Sequence, residues 1–329
     1  MRVLFNTYPV AFECPGGGEI QLVNSKDALE NAGVEVLLHD PWHAQIETVD
    51  VVHYFSVQGG SMNFCGYVKN AGKPLVISPI LWLGRETETY PLDEIKQLLT
   101  ISDMVFPNSF AEAKKLSRFF NIDLNKFHVT YNAVENCFTE TPPNNDFRKH
   151  FDINGPFILN VANIEPRKNQ LRLIEAIKEL DLRLVMIGHV RDKQYFNRCM
   201  EAGEGHVRYI GYIEHHDPIL VSAYRQCALF VLPSLLETPG LSALEAAVCD
   251  AKIVVTGIGS TREYFEDFVT YVDPYDTSNI SNGIKNSLNN RKDDRLKRNI
   301  MSKFRWEHTA LQLMEGYRLA IKANNAKQH

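Results

Sequence analysis

The chain has 329 residues, about twice an ordinary domain, so two domains are expected. With 44% apolar and 23% charged residues it has a globular composition, which excludes a disordered chain. Its 35 basic and 40 acidic side chains give a net charge of −5, so nothing draws the whole chain to nucleic acid or anionic lipid.

In chain order, the first run, Arg2–Asn6, reads as a strand. It is too short for a signal-peptide core. A glycine loop, CPGGGEI at 14–20, leads into a helix over 20–31, which Gly33 would stop. Strands follow at 34–38, Val51–Phe55, 75–77 and 104–107, with a helix over 111–119. The polar, proline-containing segment 139–156 reads as an interdomain linker. The alternation then restarts with a strand at Phe157–Val161, a helix over 169–180, and strands at Arg183–Ile187, Val207–Gly211 and Leu229–Leu232. A helix at Leu241–Val248 and strands at 252–256 and Thr270–Val272 complete the set. Leu173, Ile174, Ile177 and Leu180 share one helix face, the stripe that covers a sheet. The fold class expected is therefore α/β, two doubly wound, Rossmann-like parallel-sheet domains facing a cleft. The domains are placed at 1–140 and 156–304, with 141–155 between them. Ligands in such sheets bind beyond the carboxyl ends of the strands.

Six cysteines, Cys14, Cys65, Cys137, Cys199, Cys227 and Cys249, stand singly with no C-x-x-C pair and no zinc spacing, which excludes a disulfide scaffold. The longest uncharged apolar stretch, 74–83, falls far below the ~20 residues of a membrane-crossing helix. A soluble, cytoplasmic protein is expected.

The most informative stretch is FVLPSLLETPGLSALEAAVCD at 230–250. A strand runs into a loop with Glu237, Pro239 and Gly240, and a helix opens at Leu241. The amide groups of its first turn suit an anion, and Gly240 permits close approach. Glu245 lies on the new helix, and its side chain tilts back toward the loop that Glu237 borders. Carboxylates accept hydrogen bonds from vicinal hydroxyls, as a sugar offers. The structural alternative is that Glu245 caps its own loop and Glu237 is solvated. The second stretch, VANIEPRKN at 161–169, places Arg167 and Lys168 where a strand ends, against the dipole of the following helix. The third is the 14–20 glycine loop. Gly16 and Gly18 fit only part of a dinucleotide fingerprint, with Asp40 as a poor substitute for its acid, so NAD binding is not expected. His39 and His43 flank Pro41, and the adjacent His215 and His216 are expected to point apart, so no metal site is expected. Lys114, Lys115 and Arg118 form a basic helix face, read as solvated, with peripheral membrane contact as the alternative.

Taken together these segments resemble the family 4 retaining glycosyltransferases of the GT-B type. Glu237-x7-Glu245 within PSLLETPGLSALEAA resembles the family's E-x7-E signature. VANIEPRKN resembles the stretch that serves the donor diphosphate, GGGEIQLVNSKDALENAGVEV the first-domain glycine loop and helix, and YNAVENCF that domain's end. FRWEHTALQLMEGYR resembles the final helix that crosses back to the first domain, about 305–329. The resemblance implies a first domain on the acceptor side and a second that binds the nucleotide-sugar donor. It implies that Lys168 contacts the diphosphate, and that Gly240, Leu241 and Ser242 hold phosphate and sugar through backbone amides. Glu237 then bonds sugar hydroxyls, Glu245 the ribose, and backbone near Ile213 the base. Gly16, Gly17, Gly18 and Glu19 form the loop between donor and acceptor.

Three positions depart from the pattern. The diphosphate arginine falls on Asn163, with Arg167 as a substitute; the usual histidine near residues 78–80 is absent, leaving Arg85 or Glu86; and Pro239 replaces a phenylalanine. The activity implied is a retaining, metal-independent hexosyl transfer (EC 2.4) from a UDP- or GDP-sugar to a saccharide or lipid-linked acceptor, in glycan or surface-polysaccharide synthesis. No cofactor beyond the donor and no nucleic-acid partner is implied. The alternatives are a GT-B sugar-nucleotide epimerase or hydrolase, and a non-catalytic sugar-nucleotide-binding subunit.

Overall fold

The computed structural model describes residues 1–84, 87–139 and 146–328. The chain divides into two compact units, Met1–Ala133 with Phe304–His329 (unit 1) and Val134–Lys303 (unit 2).

Unit 1 contains, in order, β1 (Arg2–Asn6), α1 (Gly17–Asn31), β2 (Glu35–Leu38), β3 (Val51–Phe55), α2 (Met62–Asn70), β4 (Leu75–Ser78), α3 (Leu92–Ile101), β5 (Met104–Val105) and α4 (Phe110–Phe120). Its strands are all parallel, in the order β2-β1-β3-β4-β5. Helices cover both faces of such a sheet, so its central strands read as unbroken apolar runs. The sequence of β3, VVHYF, is buried throughout. Its one polar member, His53, lies among Phe5, Phe55 and Phe106. His53 Nε2 is 2.9 Å from Ser78 Oγ, and Nδ1 is 2.8 Å from the Tyr317 hydroxyl. Burial pulls its pKa down to about 3, so the ring is neutral.

Unit 2 contains α5 (Phe147–His150), β6 (Phe157–Val161), α6 (Gln170–Ile177), β7 (Arg183–Ile187), α7 (Lys193–Ala202), β8 (Val207–Gly211), α8 (Pro218–Gln226) and β9 (Leu229–Leu232). Then come α9 (Leu241–Val248), β10 (Ile253–Thr256), α10 (Thr261–Phe265), β11 (Thr270–Val272), α11 (Thr277–Asn289) and α12 (Arg295–Lys303). Its parallel sheet has the order β11-β10-β9-β6-β7-β8. The last helix, α13 (Trp306–Gln328), returns to unit 1, where Tyr317 meets His53. In each unit the winding reverses once, between β1 and β3 and between β6 and β9. Such reversal points are where ligands bind in doubly wound sheets.

Most strands occur where the β-branched runs place them. The strand expected at 104–107 ends at Val105 and so stops short of Pro107, which has no N–H to give to a ladder. The helix expected from residue 20 begins at Gly17, because the Glu19 side chain accepts a bond from the Gly16 N–H (2.7 Å). The unit boundary lies before the segment read as a linker. Phe147 is fully buried there, beside Phe151 and Phe157, and Asp146 caps α5. One apolar side chain thus anchors a stretch whose overall composition is polar. Residues 140–145 lie outside the described set.

Candidate functional site

The loops leaving β6 and β9 meet at the reversal point of unit 2. After β6, a short turn, Pro166–Lys168, ends at Asn169, which takes the left-handed conformation (φ +63°). Asn169 is buried, and its Nδ2 donates to the carbonyls of Pro233 (2.9 Å) and Pro274 (2.8 Å). One side chain therefore straps together the loops after β6, β9 and β11. The Leu235 N–H adds a bond to the Arg167 carbonyl (2.9 Å).

These bonds bring the Lys168 ammonium to Glu237 Oε1 at 2.6 Å, with side-chain exposures of 14% and 5%. Burial by itself raises the Glu237 pKa. The charge of Lys168, then that of Arg167, outweighs it and holds the carboxyl below its ordinary value. Burial pulls Lys168 down, against the attraction of Glu237.

The backbone of Glu237 is fixed independently. Its N–H donates to the Ile258 carbonyl (3.1 Å), and its carbonyl accepts from Ser260 N–H (2.9 Å). Only glycine fits at position 259, where φ is +114° and a Cβ would stand 1.9 Å from the Glu237 carbonyl oxygen. The loop continues through a cis Thr238–Pro239 bond to Gly240 (φ +89°), the N-cap of α9. Leu241 and Ser242, both partly exposed, open the helix with the amide groups that any helix leaves unbonded at its start. A largely buried cation, a buried carboxylate and a helix N-terminus thus converge, a combination suited to an anion that carries hydroxyl groups.

Glu245 is also buried but has different partners. It accepts a bond from the Tyr224 hydroxyl (2.6 Å), and its Oε1 lies 3.8 Å from His215 Nδ1. Burial raises its pKa. His215 is raised to about 9, because Glu245 and Glu135 more than offset the cost of burial. Tyr224 and His215, the partners of Glu245, are residues that sequence reasoning missed. Nothing in the sequence singles out Tyr224, and His215 reads there as half of a diverging pair. The two histidines instead converge: His215 Nε2 lies 2.5 Å from one Glu135 oxygen, and His216 Nδ1 lies 3.3 Å from the other. Alternation applies to strands, and these residues sit in the loop after β8.

The other expected positions are distributed as follows. Arg167 is exposed and bonds Glu165 (2.8 Å). The Asn163 carbonyl accepts from Gln170 Nε2 (2.9 Å), and Ile213 is partly exposed in the loop after β8. In unit 1, Gly16 caps α1, Gly17 and Gly18 form its first turn, and Glu19 accepts from both Gly16 N–H and the Tyr8 hydroxyl (2.9 Å). Arg85 and Glu86 lie outside the described residues. Asp40 accepts from the Trp42 N–H (2.9 Å) in its own turn. On α4, Lys114 lies over the Phe110 ring and Lys115 over the Trp82 ring. No described helix is long and apolar enough to cross a membrane.

Residues 143–303 match the family model of glycosyl transferases group 1. The chain is 28% identical over 248 residues to O-antigen chain mannosyltransferase B of Escherichia coli, covering 69% of this chain and 62% of that protein. The chain therefore spans less than two thirds of this relative's length. Among solved structures, sucrose-phosphate synthase from Thermosynechococcus elongatus superposes with a TM-score of 0.78 at 19% identity, over 96% of this chain and 98% of that one. HepE from Anabaena, solved in complex with UDP and glucose, gives 0.74 at 16% identity, over 95% and 98%. The two parallel-sheet units have the GT-B glycosyltransferase fold.

Proposed function

We propose that the protein transfers a hexose-type sugar from a nucleoside-diphosphate sugar, UDP- or GDP-linked, to a saccharide or lipid-linked acceptor, with retention at the anomeric carbon. The observation that carries this reading is the Lys168–Glu237 pair beside the N-terminus of α9, at the reversal point of unit 2. In this reading Lys168 turns from Glu237 to the donor diphosphate, whose charge grows as the glycosidic bond breaks. Lys168 and the first amides of α9 (Leu241, Ser242) then stabilise the leaving group electrostatically, with no metal assigned to this step. Glu237, released from Lys168, accepts hydrogen bonds from the sugar hydroxyls. Glu245, held by Tyr224 and His215, serves the ribose, and backbone near Ile213 serves the base. Asn163, Arg167, Pro239 and Gly240 complete the donor loops, and Gly16–Glu19 with Arg85 are assigned to the acceptor side.

The test is thermal unfolding with UDP, GDP, ADP, their common sugar conjugates and NAD. A ligand at a hundred times its Kd adds about 2.7 kcal/mol, or a few degrees in Tm for a chain of this size. One sugar nucleotide should give the largest shift. In Glu237→Ala the shift from the matching nucleoside diphosphate should persist while the extra shift due to the sugar disappears. Equal shifts from every compound, or none, would remove the donor-site assignment. Product analysis with donor alone then separates transfer from hydrolysis or epimerisation.

A further inference from the structure

Outside the donor loops, Glu135, Cys137 and His216 gather one donor atom each within 4.8 Å of one another. Glu135 Oε2 lies 3.3 Å from His216 Nδ1, and Cys137 Sγ lies 3.9 Å from the same nitrogen. Zinc bonds of about 2.0–2.1 Å to nitrogen or oxygen and about 2.3 Å to sulfur give a tetrahedron with edges of about 3.4 Å and about 3.6 Å. The O···N separation already matches such an edge, and the S···N separation exceeds it by only a few tenths of an ångström. We propose that these three side chains bind one Zn²⁺, with water as the fourth ligand.

The donor chemistry selects the metal. A thiolate and an imidazole beside one carboxylate favour zinc over magnesium or calcium, which take oxygen ligands. His216 is 67% exposed, which leaves a side open to water. The carboxylate is already oriented, because its other oxygen lies 2.5 Å from His215 Nε2, and such outer-shell partners fix ligand geometry. Binding converts the Cys137 thiol to a thiolate and releases its proton to solvent.

The ligands come from two segments of unit 2, its first turn and the loop after β8, with Cys137 and His216 separated by 79 positions. That separation is why no zinc spacing appears in the sequence. The ion would clip the start of unit 2 to the loop that carries His215, the partner of Glu245.

The test uses the full chain, stripped with a chelator and titrated with Co²⁺ and then Zn²⁺. One Co²⁺ per chain should bind, with a thiolate-to-cobalt charge-transfer band in the near ultraviolet and strong visible bands of tetrahedral cobalt. One equivalent of Zn²⁺ should erase both. Cys137→Ser should lose the charge-transfer band, and His216→Ala should weaken Zn²⁺ binding by at least about tenfold. Cys14→Ser, in unit 1, should change neither. His216 is exposed, so its variant should fold, and circular dichroism checks both variants. A charge-transfer band that survives in Cys137→Ser, only the weak bands of octahedral cobalt, or binding unaffected by His216→Ala would overturn the proposal.

Discussion

At the reversal point of unit 2, Lys168 and Glu237 bring opposite charges together where water scarcely reaches, with the start of α9 beside them. At the equivalent point of unit 1, between β1 and β3, the Thr7 hydroxyl ties the two strand ends through the Phe55 carbonyl (3.0 Å). The carboxylate nearby, Glu19, is occupied by Gly16 N–H and the Tyr8 hydroxyl. The two sheets share a winding plan, yet one places a cation beside a helix start and the other a glycine loop closed by its own cap. Topology supplies the crevice, and the loops decide the chemistry. Unit 2 is thus the half in which we propose that a charged donor binds.

The comparison breaks most severely at Lys168. Lys168→Ala leaves the Glu237 charge buried without its partner, and loss of one member of such a pair should cost roughly 3 kcal/mol. Turnover should fall by at least about a hundredfold, because the charge proposed to stabilise the transition state is gone. Denaturant unfolding and initial rates with the identified donor measure the two effects; unchanged turnover would remove Lys168 from the proposed step.

The next largest effect contrasts two glycines. Gly259→Ala drives a Cβ into the Glu237 carbonyl at a φ of +114°, and should cost roughly 3 kcal/mol or more while displacing Glu237. Gly60, in the loop after β3, has a φ of +85° but open space around its Cβ position, so Gly60→Ala should cost only about 1 kcal/mol. Equal losses in the two variants would show that the backbone around Glu237 gives way easily.

Much of this architecture was legible in the sequence, because fully buried parallel strands leave runs such as FILNV and LFVL that few other structures explain. The strand bounds followed from those runs; the strand order did not. Lys168 and Glu237, which are 69 positions apart, become neighbours only because β9 lies beside β6. Local pattern also failed for α11, TSNISNGIKNSLN. Its buried face needs only Ile280, Gly283, Ile284 and Ser287, and a Cβ at Gly283 would meet Val272 at 2.5 Å. Small and polar residues there serve close approach to the sheet, so the hydrophobic stripe is nearly invisible. Arg167, read in sequence as the substitute for the missing diphosphate arginine, bonds Glu165, a pairing that its sequence position did not announce.

Acid should separate the units. His53 in unit 1 has a folded pKa near 3 against an ordinary value of 6.5, so the unfolded chain binds the proton more tightly. Its contribution is whole above pH 6.5 and is lost as pH falls, by about 2 kcal/mol at pH 5. Glu237 in unit 2 has a pKa below 4.5, so its contribution declines only under more acidic conditions. All three tryptophans, Trp42, Trp82 and Trp306, belong to unit 1, so their fluorescence follows that unit alone. Between pH 7 and pH 5 the urea midpoint by tryptophan fluorescence should fall, and His53→Gln should abolish most of that dependence. A pH response unchanged in His53→Gln would place the sensitivity elsewhere.

The smallest effect concerns the cap that closes the unit 1 loop. Glu19→Ala removes the acceptor for Gly16 N–H and for the Tyr8 hydroxyl, but both donors are only partly buried, so water can replace it. The loss should be about 1 kcal/mol, the ordinary value of a helix cap, and Glu19→Gln should restore most of it. Tryptophan fluorescence during urea unfolding measures both. If Glu19→Ala cost as much as Lys168→Ala, the carboxylate of unit 1 would be as deeply committed as that of unit 2, and the contrast between the reversal points would fail. A cost near 1 kcal/mol leaves Glu19 as a replaceable cap, and keeps the Lys168–Glu237 ion pair as the feature that distinguishes unit 2.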